Sequence, residues 1–143
     1  MSLQVVLADD SPAVQESIRE LLEAARVTVI GQAYDGIEAV RLTDTLHPDA
    51  VILDYSMPRM NGVAAARAIA RHFPHLPMIM LTLSASEHRI AAAFGAGVRG
   101  FVLKTDAATD LVRALEDVSR GSTFVSPGAS RVLCEPLLRR DRH

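Results

Sequence analysis

Five polar side chains stand at the ends of short apolar runs. The pair Asp9-Asp10 follows residues 3–8, Asp54 follows 50–53, Thr82 sits near the end of 77–83, and Lys104 follows 100–103. Three carboxylates drawn together repel one another, so a proton or a cation must compensate them. A small hard dication with oxygen ligands, Mg²⁺ or Mn²⁺, does this while keeping waters and completing its shell with a phosphate oxygen. A carboxylate beside such an ion can attack phosphorus and become an aspartyl phosphate, whose phosphoryl group carries about two negative charges. The Lys104 ammonium and the Thr82 hydroxyl are suitable partners for its oxygens. In this reading Asp9 and Asp10 hold the metal, Asp54 takes the phosphoryl group, and Lys104 and Thr82 hold the product. Each residue alone has a plainer role: Asp as a helix cap, Thr82 as a β-branched strand residue, Lys104 as a solvated surface lysine. Their coincidence at four run ends argues for chemistry.

The runs and the segments between them define the elements. Residues 3–8 form a short strand. Pro12 after Asp10-Ser11 starts a helix, because proline in the first turn needs no amide partner, and Val14, Ile18, Leu21, Leu22 and Ala25 give it an apolar face. The β-branched stretch 27–33 is a second strand, and a helix over 36–46 follows. Residues 50–53 and 77–83 are strands buried on both faces, separated by an Ala-rich helix over 61–73 that stops before Pro74. A helix over 87–94, a strand over 100–103 and a helix over 107–120 complete the series. Five strands alternating with five helices imply an α/β fold with a doubly wound, five-stranded parallel sheet. Ligands of such sheets bind outside the carboxyl ends of the strands, where strand order reverses. That edge is where residues roughly 45 and 95 positions apart, Asp9, Asp54 and Lys104, would converge.

Composition narrows the function class. The 143 residues are 49% hydrophobic and 22% charged, enough for one domain with its own core. A formal charge of −2 is not the profile of a dedicated nucleic-acid binder. Cys134 is the only cysteine, so no internal disulfide framework exists and a reducing cytoplasm is the expected location. No apolar run is long enough for a membrane span, and no membrane partner is expected. The five histidines are scattered, without the spacing of a zinc site. Charge divides the chain unevenly: residues 1–120 carry 11 basic and 15 acidic side chains, residues 121–143 carry 4 and 2. We therefore expect a compact acidic domain over 1–120 and a separate linker or tail over 121–143.

Several pieces in register resemble the receiver domains of two-component response regulators, the CheY-like family. They are Val5-Val6-Leu7-Ala8-Asp9-Asp10 with Pro12, Val51-Ile52-Leu53-Asp54 with Met57-Pro58 and Asn61-Gly62, Ile79-Met80-Leu81-Thr82, and the stretch from Ala96 to Lys104. The resemblance covers residues 3–120, and Lys104-Thr105-Asp106-Ala107 is most similar to the NarL/FixJ subfamily with a LuxR-type helix-turn-helix output. It implies a flavodoxin-like (βα)5 fold of strand order 2-1-3-4-5 and a signalling switch, not an enzyme acting on other substrates. It further implies that a sensor histidine kinase phosphorylates Asp54. Mg²⁺ would be bound by Asp10, Asp54 and the Ser56 backbone carbonyl, with Asp9 acting through a water. Thr82 and Phe101 would move together, shifting the face spanning about 87–120 to control transcription in a full-length protein. Receivers of this kind form homodimers through more than one face, and the sequence does not choose among them.

There are departures from the family pattern. Thr105 follows Lys104 where many members have a cis-linked proline; a non-proline cis bond costs about 2.5–4 kcal/mol, so the bond is either trans or strained. Leu83 is bulkier than the small residue common after the threonine. Ser56 and Ser84 replace the amide or carboxylate often found there, and with Leu83 are expected to tune the phosphate lifetime. Phe101 could equally be plain core. Alternatives are a stand-alone or degenerate receiver that acts by protein binding, an aspartyl-phosphate hydrolase, and a flavodoxin-like FMN protein. The hydrolase would carry its second acid two residues after the first, and the flavodoxin a Ser/Thr/Gly-rich loop where Asp9-Asp10 stands. The 23 residues after 120 cannot hold an output domain, so DNA contact is expected only through a domain absent from this chain. A fragment cut in a linker is the expectation over a complete stand-alone protein.

Overall fold

In the computed structural model, which describes residues 3–133, the chain alternates strand and helix from its first apolar run. The elements are β1 (Gln4–Ala8), α1 (Pro12–Ala24), β2 (Thr28–Ala33), α2 (Gly36–Leu46), β3 (Ala50–Asp54), α3 (Gly62–His72), β4 (Met78–Thr82), α4 (Glu87–Gly95), β5 (Gly100–Leu103), α5 (Ala107–Ser119) and β6 (Phe124–Val125). A single 3-10 turn, Lys104–Asp106, joins β5 to α5. The helix starts follow the capping residues: Ser11 accepts from Val14 N–H with Pro12 in the first turn, Asp35 from Glu38, Asn61 from Ala64 and Ser86 from Arg89.

All strand pairings are parallel, in the order β2-β1-β3-β4-β5-β6. The expected doubly wound order 2-1-3-4-5 is present, but the sheet has six strands instead of five. Every residue of β3 and β4 is buried, as the continuous apolar runs require of strands covered on both faces. Alternation along the strands divides the core in two. Val5, Leu7, Ile52 and Leu81 pack under α1 and α5, whereas Val6, Leu53, Met80 and Phe101 pack under α2, α3 and α4.

The sixth strand extends the sheet past the compositional boundary near 121. Ser126 N–H donates to Phe101 O at 2.9 Å, and the buried Ser126 hydroxyl accepts from Leu103 N–H at 3.1 Å. The backbone is helical over 127–133, and its first turn is tied to the β5–α5 connection because Gly128 N–H donates to Asp106 Oδ2 at 3.2 Å. Asp106 stands at the N-cap of α5 but makes no side-chain cap bond there. Ala129 is fully buried in the core beside Phe101. Cys134 and the arginine-rich end lie outside the described residues. No peptide bond among the described residues is cis, so Lys104–Thr105 is trans.

Replacing Ser126 by Ala leaves the part-buried Leu103 N–H without its acceptor, a loss of about 1 kcal/mol. Urea denaturation of Ser126→Ala should show that loss, with faster hydrogen exchange at Leu103; parent-like values for both would mean that another group satisfies the amide.

Candidate functional site

The sheet brings the expected residues to one edge by register alone. Asp9 is the first residue after β1, Asp54 the last of β3, Thr82 the last of β4 and Lys104 the first after β5. The pairings Ala8↔Leu53, Asp54↔Leu81 and Thr82↔Leu103 place these exits level. A cavity of about 500 Å³ lies above them, lined by Asp9, Asp10, Asp54, Thr82 and Lys104 together with Ser56 and Arg89.

Local bonds hold each strand end. Asp9 N–H donates to Ala33 O at 3.0 Å, locking β1 to β2 beyond the ladder. The Asp9 Oδ1 atom accepts from Ser11 N–H at 2.9 Å. From α1 the buried Gln15 amide donates to Ala33 O at 2.7 Å, with longer contacts to Asp9 O and Leu7 O. Behind Asp54, the α3 N-terminus packs so closely that a Cβ on Gly62 would lie 2.2 Å from the Asp54 carbonyl oxygen. Only glycine fits at that contact, and Gly62 N–H donates to Tyr55 O at 2.9 Å.

Electrostatics centre on one ammonium. Lys104 Nζ lies 2.7 Å from Asp9 Oδ2 and 3.3 Å from Asp54 Oδ2. Asp9 is 1% and Asp54 6% exposed, while Asp10 stands in solvent at the rim. Burial, and then the charge of Asp9, push the Asp54 carboxyl above the ordinary aspartate value against the pull of Lys104 and the Ser56 N–H. For Lys104, burial works against the charge, but Asp9 and Asp54 outweigh it and hold the ammonium above the ordinary lysine value. Carboxylate oxygens of Asp9, Asp10 and Asp54 lie within 4.8 Å of one another. The buried Asp9 Oδ2 has the Lys104 ammonium as its partner. Three clustered carboxylates against a single ammonium leave a net negative charge that fits a small hard dication.

The remaining expected residues fall into two groups. Ser56, Leu83 and Ser84 all line the cavity mouth and are exposed, Leu83 by 74%. Phe101 is fully buried in the core with Ile90 and Ala129, away from the cavity lining. Two polar residues of the site escape a reading of the sequence. Gln15 occupies an inward position of an otherwise amphipathic helix, and Arg89 reaches into the cavity from α4. Arg89 Nη1 donates to Thr82 Oγ1 at 3.4 Å, and its guanidinium lies 4.4 Å above the Tyr55 ring.

Residues 5–116 match the family profile described as "Response regulator receiver domain". The uncharacterized transcriptional regulatory protein YxjL of Bacillus subtilis is 32% identical over 135 residues, covering 93% of this chain and 62% of YxjL. Response regulator protein VraR of Staphylococcus aureus is 31% identical over 128 residues, covering 89% of this chain and 61% of VraR. The chain thus spans about three fifths of the length of the curated relatives it matches. Among solved structures, a LuxR-family two-component response regulator from Aurantimonas sp. superposes with a TM-score of 0.92 at 29% identity, over 96% of this chain and 99% of that one. The isolated REC domain of RcsB from Salmonella enterica, determined with the phosphomimetic BeF3⁻, gives 0.82 at 33% identity, over 92% and 99%.

The raised Asp54 value has a measurable consequence. A carboxyl that binds its proton more tightly in the folded state than in the unfolded chain weakens the fold once it ionises. In metal-free buffer at neutral pH, Asp54→Asn should therefore raise the thermal midpoint, and the gain should shrink as pH falls through the raised folded-state value and vanish below about 4, where the carboxyl is protonated in folded and unfolded chains alike. Calorimetry across that range checks the sign; a lower midpoint for Asp54→Asn at neutral pH would mean that attraction to Lys104 outweighs burial.

Proposed function

The chain belongs to the response regulator receiver domain family, and from that membership we propose that it is a phosphorylation switch whose phosphoacceptor is Asp54. The observation that carries this reading is the Lys104 ammonium set between the Asp9 and Asp54 carboxylates at the exits of parallel strands. An Asp54 carboxylate oxygen attacks the phosphorus of a phosphohistidine on a sensor histidine kinase. The new O–P bond forms as the P–N bond breaks, and the histidine leaves with a proton from solvent. Asp10, Asp54 and the Ser56 carbonyl, with Asp9 through a water, are the groups that would hold Mg²⁺. When bound, that ion neutralises an oxygen of the phosphoryl group in flight.

This chain's own residues do the rest. Lys104 exchanges its contact with Asp54 Oδ2 for a phosphoryl oxygen, keeping its charge compensated. The Thr82 hydroxyl, which donates to Ser84 O at 3.3 Å, turns to donate to the phosphoryl group instead. Its turn frees space toward Phe101 and biases α4, β5 and α5 between two arrangements. Ser56, Leu83 and Ser84 at the mouth set how readily water reaches the aspartyl phosphate. The relatives named as transcriptional regulators make transcription the natural output, with DNA contacted through a separate domain, and the related RcsB, solved as dimers bound to DNA, supports a homodimer. No helix among the described residues is long and apolar enough to cross a membrane, in keeping with action in the cytoplasm. An FMN-binding reading is disfavoured because Asp9 and Asp10 would repel an anionic ligand in the absence of a cation.

Incubation with Mg²⁺ and acetyl phosphate should give one acid-labile phosphate per chain, and none in Asp54→Asn. Asp10→Ala should weaken Mg²⁺ binding by at least about tenfold, the scale seen for losing even a supporting partner of a metal ligand. A parent that stays unmodified sinks the switch; equal labelling of Asp54→Asn moves the acceptor elsewhere.

A further inference from the structure

We propose that Arg89 is a second phosphoryl-binding cation, which captures the group on Asp54 and ties α4 to it. This rests on the phosphoacceptor role of Asp54 and adds a residue to that site. Arg89 lies in the first turn of α4, where its backbone N–H donates to the Ser86 cap at 3.0 Å. A cation there opposes the helix dipole, so helix stability does not account for it. Among the described residues no carboxylate lies within ion-pair distance of its guanidinium. Instead it reaches into the cavity that Asp54, Thr82 and Lys104 line.

Two contacts hold it there in a defined plane. The Tyr55 ring, one residue beyond Asp54, carries the guanidinium on its face at 4.4 Å, a geometry worth more as water is excluded. The single bond to Thr82 Oγ1, at 3.4 Å, is long and leaves most of the five N–H donors free. Because Arg89 donates into Oγ1, the Thr82 hydroxyl proton remains available to swing from Ser84 O toward a phosphoryl oxygen. Both groups then serve one ligand: a planar fork for two oxygens and a hydroxyl beside it.

Charge makes the same demand. Asp9, Asp10 and Asp54 exceed Lys104 by two negative charges, which a dication cancels. Exchanging the single charge of Asp54 for about two on a phosphoryl group leaves one negative charge over. Among the described residues, Arg89 is the one cation besides Lys104 lining the cavity. Its capture would draw the first turn of α4 toward β3, a link to the helix independent of Phe101.

Calorimetric titration of beryllofluoride at saturating Mg²⁺ tests this, using the parent, Arg89→Gln and Asp54→Asn. Arg89→Gln should weaken beryllofluoride binding by at least about tenfold, as loss of a hydrogen bond to a charged group predicts. Its Mg²⁺ affinity should be unchanged or tighter, since a neighbouring cation has been removed, and its ligand-free thermal midpoint should match the parent. Parent-like beryllofluoride affinity in Arg89→Gln, or equal losses of Mg²⁺ and beryllofluoride binding, overturns the assignment. A parent that binds no beryllofluoride would instead overturn the phosphoacceptor role of Asp54.

Discussion

Parallel strands all deliver their carboxyl ends to the same edge, and in this chain two of those ends are buried acids. The structure depends on the one ammonium that makes this tolerable. Lys104 leaves β5, three strands from β1, a separation of about 14 Å at roughly 4.8 Å per strand. It still reaches Asp9 at 2.7 Å and Asp54 at 3.3 Å. A long unbranched stem carrying a compact charge can do this from the 3-10 turn after β5, where a shorter cation could not. The order β1-β3-β4-β5 and the level register of the four exits are what bring stem and acids into range.

The supporting contacts are arranged so that this edge stays fixed while its contents change. Gln15 and the Asp9 N–H bind the ends of β1 and β2 through backbone carbonyls, using none of the acidic oxygens. Gly62 lets α3 abut the Asp54 carbonyl, leaving the carboxylate facing the cavity. On the far side, the segment after α5 is fastened to the very connection that carries Lys104, through Ser126 to Phe101 and Leu103 and through Gly128 to Asp106. A shift of Lys104 therefore acts on a strand end with two neighbours, β4 and β6, and one of them leads onward along the chain.

Sequence reading captured the elements whose signals are local and repeated. β3 and β4 are continuous apolar runs, Pro12 after Asp10-Ser11 marks the start of α1, and Asp9, Asp54, Thr82 and Lys104 stand at the expected exits. It missed what depends on tertiary contact. Phe124–Val125 is two residues long, too short for any period to register, and becomes a strand only because the β5 edge offers it partners. Gln15, between Val14 and Glu16, carries no burial signal of its own in the sequence, and its burial follows from three carbonyls that only the folded strand ends assemble. Arg89 looks like a solvated position on a helix. Its place follows from Tyr55 and Thr82, 34 and seven positions away along the chain.

The pocket holds its acids in unequal balance. Asp54 is less comfortable as an anion than an ordinary aspartate because burial and Asp9 outweigh the help of Lys104. Asp9 Oδ2 is buried with the Lys104 ammonium as its counter-charge at 2.7 Å. Thr82 spends its proton on the carbonyl of the exposed Ser84 over a long 3.3 Å bond. The neutral bond from Thr82 is the weakest of these contacts, since hydrogen bonds to ionised groups are roughly twice as strong as neutral ones. A phosphoryl group would replace that weak contact with a stronger one. Under the proposed phosphorylation at Asp54, the change in pairing would fall on side chains at the strand exits, with the backbone ladders of β1, β3, β4 and β5 left in place.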